Sequence, residues 1–271
     1  MSQAEKILFR KFPFSPKRKV TTALSGSFQS RLKGHGQEFS GLRPYEFGDD
    51  SRKIHWKHYA KTGEMAVREE ISERNMRVWI VQDLSRSMEF GAKPYLINGF
   101  FLFAGHLARE GSSSVGLVGF SDKVHIFRKP KTGLFRRPAL QTPPGEAVLS
   151  CALRPLSRYA RAGDIVFLVS DFFSEEGLES ELKPFALNQE LIPVVVRDPR
   201  EKMRTGHARI SSRDMETHRN LNTLRSANLE AYDAKLRELF NRLTIDFLWI
   251  EGKNRDDAIK SILEWLYRRN R

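Results

Sequence analysis

Cysteine is nearly absent from this chain of 271 residues, because Cys151 is the only one. A single cysteine excludes an internal disulfide framework and is typical of a protein that works in a reducing compartment. Cys151 lies in the sequence LSCALRPL, whose apolar spacing predicts an amphipathic helix. We therefore expect a buried structural thiol there and not a catalytic nucleophile, since no partner histidine is identifiable.

Long apolar runs are also missing. The most apolar helical stretch, 95–108, is shorter than the roughly 20 residues that a membrane-spanning helix needs, and Asn98 and His106 interrupt it. The N-terminal segment MSQAEKILFRKFPFSPKRK is basic and lacks the continuous apolar core of a signal peptide. The sequence therefore predicts a cytoplasmic protein that is not transmembrane.

The common catalytic motifs do not occur either. The chain has no P-loop, no Gly-x-Gly-x-x-Gly between a strand and a helix, no His-Glu-x-x-His and no Gly-x-Ser-x-Gly elbow. We therefore predict that the protein is not an enzyme. The enzymatic alternative is a metal-dependent hydrolase that uses Asp83 and Asp171.

Acidic residues are outnumbered, with 33 Asp and Glu against 46 Lys and Arg, which gives a net charge of +13. This excess fits a solvated basic surface, and it also suits an acidic protein partner or an anionic membrane face. No nucleic-acid-binding motif accompanies the charge, so we do not expect a nucleic-acid partner. A basic peripheral module that binds anionic membrane or nucleic acid is the alternative function.

Short apolar runs alternate with helical segments along most of the chain. The runs 78–81, 165–169 and 192–196 are too short for helices and typical of buried strands. Their alternation with helices predicts an α/β fold with a doubly wound, mostly parallel sheet, helices on both faces, over residues 76–271. Residues 1–75 are expected to form an N-terminal arm and a small β-rich or irregular lobe. The other expected elements are a hairpin over 115–127, an edge strand at 208–210, a strand at 246–250, and helices over 95–109, 145–159, 178–187, 224–243 and 256–269.

The stretch VWIVQDLSRSMEFG, residues 78–91, is the most informative part of the chain. Its apolar start predicts a buried strand, which Asp83, Ser85 and Ser87 follow at intervals of two residues. Ligands bind at the carboxyl ends of strands in open α/β sheets. This oxygen-only set suits Mg²⁺ or Mn²⁺ and not zinc. In the alternative interpretation, these side chains hydrogen-bond the turn and cap the following helix.

Asp83-x-Ser85-x-Ser87 resembles the metal-ion-dependent adhesion site of von Willebrand factor A domains. Motifs upstream resemble the bacterial family catalogued as domain of unknown function 58, and the resemblance covers roughly Gly34 to the C-terminus. These motifs are Gly34-x-Gly36-x-Glu38-Phe39, Leu42-Arg43-x-Tyr45 and Gly48-Asp49-Asp50-x-Arg52-x-Ile54-x-Trp56. The resemblance implies a von Willebrand A-like fold and a metal site formed by Asp83, Ser85, Ser87 and Asp171.

The match is incomplete at one metal ligand. Von Willebrand A domains place a threonine on the loop before the third helix, and here that loop is QTPPGEAVL, residues 141–149. Either the site is altered, with Thr142 replacing this ligand from upstream or Glu146 binding the metal directly, or it is a relic that binds metal weakly. An acidic residue of a partner would fill the open coordination position, so the metal would bridge two proteins.

The segment 34–77 is rich in glycine, charge and aromatic residues and lacks helical periodicity. We expect turns and short strands, in which Asp50 either pairs with Arg52 or caps 54–57 as a helical turn. The candidates for partner contact are Arg43, Tyr45, Asp49, Asp50, Arg52 and Trp56. The alternative is a brace in which Tyr45 and Trp56 pack against the main domain.

The resemblance also implies a partner class, because members of this family are commonly encoded beside MoxR-type AAA+ ATPases. Together with the missing catalytic motifs, it predicts a non-enzymatic adaptor with a metal-assisted docking face that works with such an ATPase.

Overall fold

The chain divides into two compact units in its computed structural model. One unit is Thr22–Asn75, and the other is Met1–Thr21 together with Met76–Arg271. The residues that the structure describes are 9, 14, 16, 37–46, 51, 54–72, 76–110, 113–133, 135, 137–138, 145–173, 177–201 and 229–270. The predicted edge strand at 208–210 and the first residues of the predicted helix 224–243 lie outside them.

The smaller unit contains a two-stranded antiparallel sheet and one short helix. Strands β1 (Gln37–Pro44) and β2 (Ala66–Ser72) pair with each other. Helix α1 (Trp56–Thr62) starts where the His55 ring nitrogen Nδ1 accepts a hydrogen bond from the His58 N–H at 3.0 Å. This helix overlaps the helical turn predicted over 54–57 and extends beyond it, and its cap is a histidine where Ser, Thr or Asp is more usual.

A six-stranded sheet forms the centre of the larger unit, in the order β5-β4-β3-β6-β7-β8. The strands are β3 (Arg77–Asp83), β4 (Ser114–Phe120), β5 (Val124–Lys131), β6 (Ile165–Ser170), β7 (Glu190–Arg197) and β8 (Leu248–Glu251). All neighbouring strands are parallel except β4 and β5, which form an antiparallel hairpin at one edge.

Helices cover both faces of this sheet. They are α2 (Lys93–Glu110), α3 (Leu149–Ser157), α4 (Leu178–Asn188), α5 (Leu229–Arg242) and α6 (Arg255–Arg269). Helices α2 and α6 bury one face together with Phe9 and Phe14, and α3, α4 and α5 bury the other. Successive strand residues such as Ile80 and Val81 enter opposite cores. The predicted doubly wound α/β fold is confirmed.

Cys151 lies in α3, but the expectation that its thiol is buried is wrong. The side chain is half-buried, and its S–H donates to the Asp122 carbonyl oxygen at 3.0 Å. The core-facing side of α3 is formed by Ala152, Leu153 and Leu156. Cys151 therefore lies beside the buried stripe and not within it.

Helix α2 is the longest described helix, with 18 residues. Neither α2 nor any other helix in the described part of the chain has the length and apolarity needed to cross a membrane.

Gly99 of helix α2 faces α6, where an added Cβ would lie 2.6 Å from the Ala258 Cβ and 2.9 Å from the Arg255 carbonyl oxygen. The close approach of these helices therefore requires a residue without a side chain.

We predict that Gly99→Ala lowers the free energy of unfolding by about 1–3 kcal/mol, the usual effect of overpacking. Alanine ordinarily favours a helix over glycine, so the loss reports the contact with α6. The matched control is Gly105→Ala in the same helix, where the added Cβ would meet the Phe135 carbonyl oxygen at 3.3 Å. Urea unfolding of both variants measures the difference, and equal stability would contradict this packing.

Candidate functional site at the carboxyl ends of the central strands

The two predicted carboxylates lie at the ends of neighbouring strands. β3 and β6 are parallel, with Gln82 opposite Val169, so Asp83 and Asp171 follow at the same edge of the sheet. Asp83 has a relative exposure of 0% and Asp171 of 3%. The structure thus brings together two carboxylates that are 88 positions apart in the chain, in a crevice largely closed to water.

Asp83 receives its hydrogen bonds from neutral groups. Its Oδ1 accepts from the Ser85 N–H at 2.8 Å, and its Oδ2 accepts from the Ser170 hydroxyl at 2.7 Å. Burial, together with the nearby charge of Asp171, raises the pKa of Asp83 from 3.8 to about 6. The buried carboxyl group therefore holds its proton more tightly than an exposed one.

Ser85 and Ser87 connect the two carboxylates. They lie between β3 and α2, where a short 3₁₀ helix, Arg86–Glu89, begins after Ser85. Their hydroxyl oxygens are 3.1 Å apart. Burial raises the pKa of the Asp171 carboxyl group, but the charge of Lys93 and hydrogen bonds from the Lys93 and Ser87 side chains lower it.

The loop after β6 has an uncommon backbone conformation next to Asp171. Phe172 has a φ of 54°, in the left-handed region that non-glycine residues rarely adopt. Its N–H donates to the Ser170 hydroxyl oxygen at 3.0 Å. The carbonyl oxygens of Asp171 and Phe172 accept hydrogen bonds from Arg197 and the Tyr232 hydroxyl, respectively. Such conformations persist where several surrounding contacts hold them, as these do.

Lys93, the first residue of α2, lies at the centre of the crevice. Its ammonium nitrogen Nζ is 2.8 Å from a carboxylate oxygen of Asp171 and 2.7 Å from one of Glu201. It also donates to the Ser87 carbonyl oxygen at 3.2 Å. The side chain has an exposure of 0%, so the ammonium group is out of contact with solvent.

The paired carboxylates keep this lysine charged. Burial alone would lower the pKa of Lys93, but the charges of Asp171 and Glu201 outweigh burial and raise it. Burial alone would raise the pKa of Asp171, but Lys93 lowers it. Lys93 is not among the residues predicted from the sequence. The predicted helix 95–109 begins two residues after Lys93, so its place in the first turn of α2, where the helix dipole disfavours positive charge, became visible only in the structure.

The end of β7 supplies a second layer of charged groups. The buried Arg197 donates to an Asp233 carboxylate oxygen of α5 at 3.0 and 2.8 Å. Asp198 accepts hydrogen bonds from the Ala92 N–H and the Arg200 guanidinium. Burial alone would raise the pKa of Asp198, but these donors and the charge of Arg200 lower it to about 2. These contacts attach the β7 loop to α2 and α5.

The structure does not test the proposed replacements for the missing threonine ligand. Glu146 is exposed in the segment before α3, whereas Asp83, Ser85 and Asp171 are buried. Thr142 lies outside the described residues.

The predicted partner-contact residues belong to the smaller unit. Tyr45 is half-buried, and its N–H donates to the Met65 carbonyl oxygen at 2.9 Å. Trp56 is 58% exposed, and its ring meets that of Tyr59 edge-on at 6.2 Å. Arg43 lies in β1 opposite Val67. The remaining candidates, which lie outside the described residues, are Asp49, Asp50 and Arg52.

The donors of the crevice fit a divalent ion in one respect only. The hydroxyl oxygens of Ser85 and Ser87 are 3.1 Å apart. Adjacent oxygen ligands of an octahedral Mg²⁺ ion are about 3 Å apart, so this distance is suitable. The charge does not fit, because a buried ammonium group, that of Lys93, already pairs with Asp171. Across the part of the chain that the structure describes, no three acidic, histidine or cysteine side chains form a group suited to a metal. The Mg²⁺ or Mn²⁺ site stays a prediction.

Comparison with known families and curated proteins finds relatives without an assigned function. The model of a family described as "Protein of unknown function DUF58" matches residues 41–242. Uncharacterized protein Rv1480 of Mycobacterium tuberculosis and Uncharacterized protein Mb1516 of Mycobacterium bovis are each 26% identical over 208 residues. The match covers 71% of this chain and 65% of the length of these relatives.

Solved structures similar to this chain include three bacterial or archaeal proteins. BatB from Bacteroides thetaiotaomicron is 16% identical, over 71% of this chain and 98% of its own, with a TM-score of 0.43. The ArnB paralog VWA2 from Sulfolobus acidocaldarius is 12% identical, over 70% of this chain and 44% of the VWA2 chain, with a TM-score of 0.42. A von Willebrand factor type A protein from Catenulispora acidiphila is 11% identical, over 75% of this chain and 43% of its own, with a TM-score of 0.41. These scores are below 0.5, so the fold assignment rests on the strand order and helix layers given above.

We predict that Asp83→Asn is more stable than the wild type at pH 7 and that this advantage shrinks as the pH falls toward 4. A carboxyl group whose pKa is 3.8 when unfolded and about 6 when folded stabilises the fold in its protonated form. That contribution is complete below pH 4 and is lost as the pH rises through 6. A shift of about two units corresponds to roughly 3 kcal/mol.

Thermal unfolding of the variant and the wild type between pH 4 and 7 measures this effect. Glu146→Gln is the matched control, because it removes an exposed carboxylate and should leave the pH dependence of the wild type unchanged. If Asp83→Asn had the same pH dependence as the wild type, the assignment of the raised pKa to Asp83 would be wrong.

Proposed function

The chain belongs to the family of proteins of unknown function DUF58, and on this premise we propose that it is a non-enzymatic interaction protein. It docks a partner on the edge of the sheet where β3, β6 and β7 end. We call this edge the strand-end face and define it by Ser87, Phe90, Phe173 and Arg200. The proposed partner is a MoxR-type AAA+ ATPase, the class that the family resemblance implies.

One observation carries the proposal: an exposed aromatic ring lies over two buried cations. Phe173 is 44% exposed, and its ring centroid is 5.1 Å from the Lys93 Nζ and 4.5 Å from the Arg197 guanidinium carbon. Cation–π contacts of this kind hold a ring in place. Aromatic side chains held in this way are frequent energetic centres of protein interfaces.

Arg200 adds positive charge to the same face. Its side chain is 59% exposed while it pairs with the buried carboxylate of Asp198 at 2.8 Å. Its guanidinium carbon lies 5.6 Å from the centroid of the Phe90 ring. An arginine held between a carboxylate and a ring is well suited to bind carboxylates of a partner. The net charge of +13 would favour the approach of an acidic partner.

The same geometry supports a non-catalytic role. A general base or nucleophile must reach the reacting atoms of a substrate. Asp83 is buried under hydrogen bonds from serine donors, and Asp171 is paired with a buried lysine. Both carboxylates thus have internal partners, which favours a structural use of the crevice.

We predict that Phe173→Ala weakens binding to a MoxR-type ATPase of the same organism at least about tenfold, which corresponds to 1.4 kcal/mol or more for one interface centre. Tyr159→Ala is the matched control, because Tyr159 is 43% exposed. Its carbonyl oxygen accepts from Arg77 at the start of β3, at the opposite edge of the sheet. Affinities from biolayer interferometry, with and without nucleotide, measure the effect.

Two results would contradict the proposal. The first is no binding of the wild type to the ATPase in any nucleotide state, which would remove the partner class. The second is an equal loss of affinity in Phe173→Ala and Tyr159→Ala, which would mean that the strand-end face is not the docking surface.

A further inference from the structure

We propose that the Lys93 ammonium group is the resident cation of the crevice, in place of a divalent metal ion. Oxygen atoms from three separate chain segments converge on its nitrogen. Asp171 follows β6, Glu201 follows β7 and the Ser87 carbonyl follows β3. A metal ion at the strand ends would draw its ligands from separate segments in the same way. The Lys93 nitrogen thus joins three chain segments through their oxygen atoms, as a bound metal ion would.

The distances fit an ammonium group. The two carboxylate oxygens lie 2.7 and 2.8 Å from the nitrogen, which is the range of charge-assisted hydrogen bonds. The Ser87 carbonyl oxygen lies at 3.2 Å, at the long end of ordinary N–H···O bonds. Mg²⁺ requires its oxygens at about 2.0–2.1 Å, in a nearly regular octahedron. The crevice is therefore spaced for N–H···O contacts.

The charged part of the crevice already contains a buried cation. Asp171 and Glu201 both pair with Lys93, and Arg197 pairs with Asp233. A divalent ion bound at Asp171 would place two more positive charges beside a buried ammonium group. Repulsion between such charges is strong where water is excluded. Lysine and metal are therefore mutually exclusive occupants.

The position of Lys93 in the chain explains why this cation does not exchange with solvent. It is attached to the first turn of α2, its side chain has an exposure of 0%, and the Phe173 ring lies over its nitrogen. A tethered cation stays in place at any metal concentration. The consequence for docking, a face that persists without divalent ions, rests on the proposed function, whereas the identity of the cation does not.

Titration of Mn²⁺ into the isolated chain tests the proposal. For the wild type we expect no heat of binding by calorimetry and the same melting temperature in EDTA and in millimolar Mn²⁺. Lys93→Ala should melt several degrees lower in EDTA and regain stability with Mn²⁺ in a saturable manner, because Asp171 and Glu201 are then released. Lys183→Ala, which removes an exposed lysine of α4, is the matched control and should respond to neither condition.

Three results would overturn the proposal. One is Mn²⁺ binding to the wild type that Asp83→Ala abolishes. The second is that the Lys93→Ala variant is as stable as the wild type in EDTA. The third is that Mn²⁺ does not stabilise the Lys93→Ala variant. If Lys93→Ala does not fold in either condition, the wild-type titration decides alone. No ATPase takes part in these measurements, so a failure of the proposed docking is distinguishable from a failure of the cation assignment.

Discussion

The ion pairs of Lys93 with Asp171 and Glu201 are the constraint on which the rest of the crevice depends. Moving these three charges out of water is costly, and their mutual attraction and hydrogen bonds must compensate for it. The compensation requires that the ends of β3, β6 and β7 and the start of α2 keep fixed positions. Removing one member would leave a buried charge without its partner, which typically costs about 3–5 kcal/mol.

At the ends of the central strands, the buried polar groups and the exposed side chains have different roles. The acid and hydroxyl groups after β3 resemble a metal-binding adhesion site, but in this chain Asp83 hydrogen-bonds serine donors and the charge of Asp171 is directed to Lys93. What faces solvent is Phe173, held over two cations, with the exposed side chain of Arg200 on the β7 loop. The charged interior would fix the shape of the strand-end face, and its exposed aromatic and arginine side chains would supply the contacts of a docking partner.

The sequence predicted those features that depend on local pattern. The apolar runs of β3, β6 and β7 identified buried parallel strands, and the family resemblance placed Asp83 in one site with Asp171. The role of Lys93 could not be predicted in this way, because its partners lie 78 and 108 positions away and no local pattern connects them. The full length of helix α1 was not predicted, because its cap is a histidine, and the half-buried position of Cys151 depends on how α3 is rotated against the sheet.

The most direct test of a crevice with its own cation is a crystal structure of the wild-type chain grown in millimolar MnCl₂, with diffraction data collected at the manganese absorption edge. The account predicts no anomalous peak among Asp83, Ser85, Ser87 and Asp171, and electron density for the Lys93 ammonium within hydrogen-bonding distance of Asp171 and Glu201. An anomalous peak at this position, with the Lys93 side chain displaced from the two carboxylates, would contradict it.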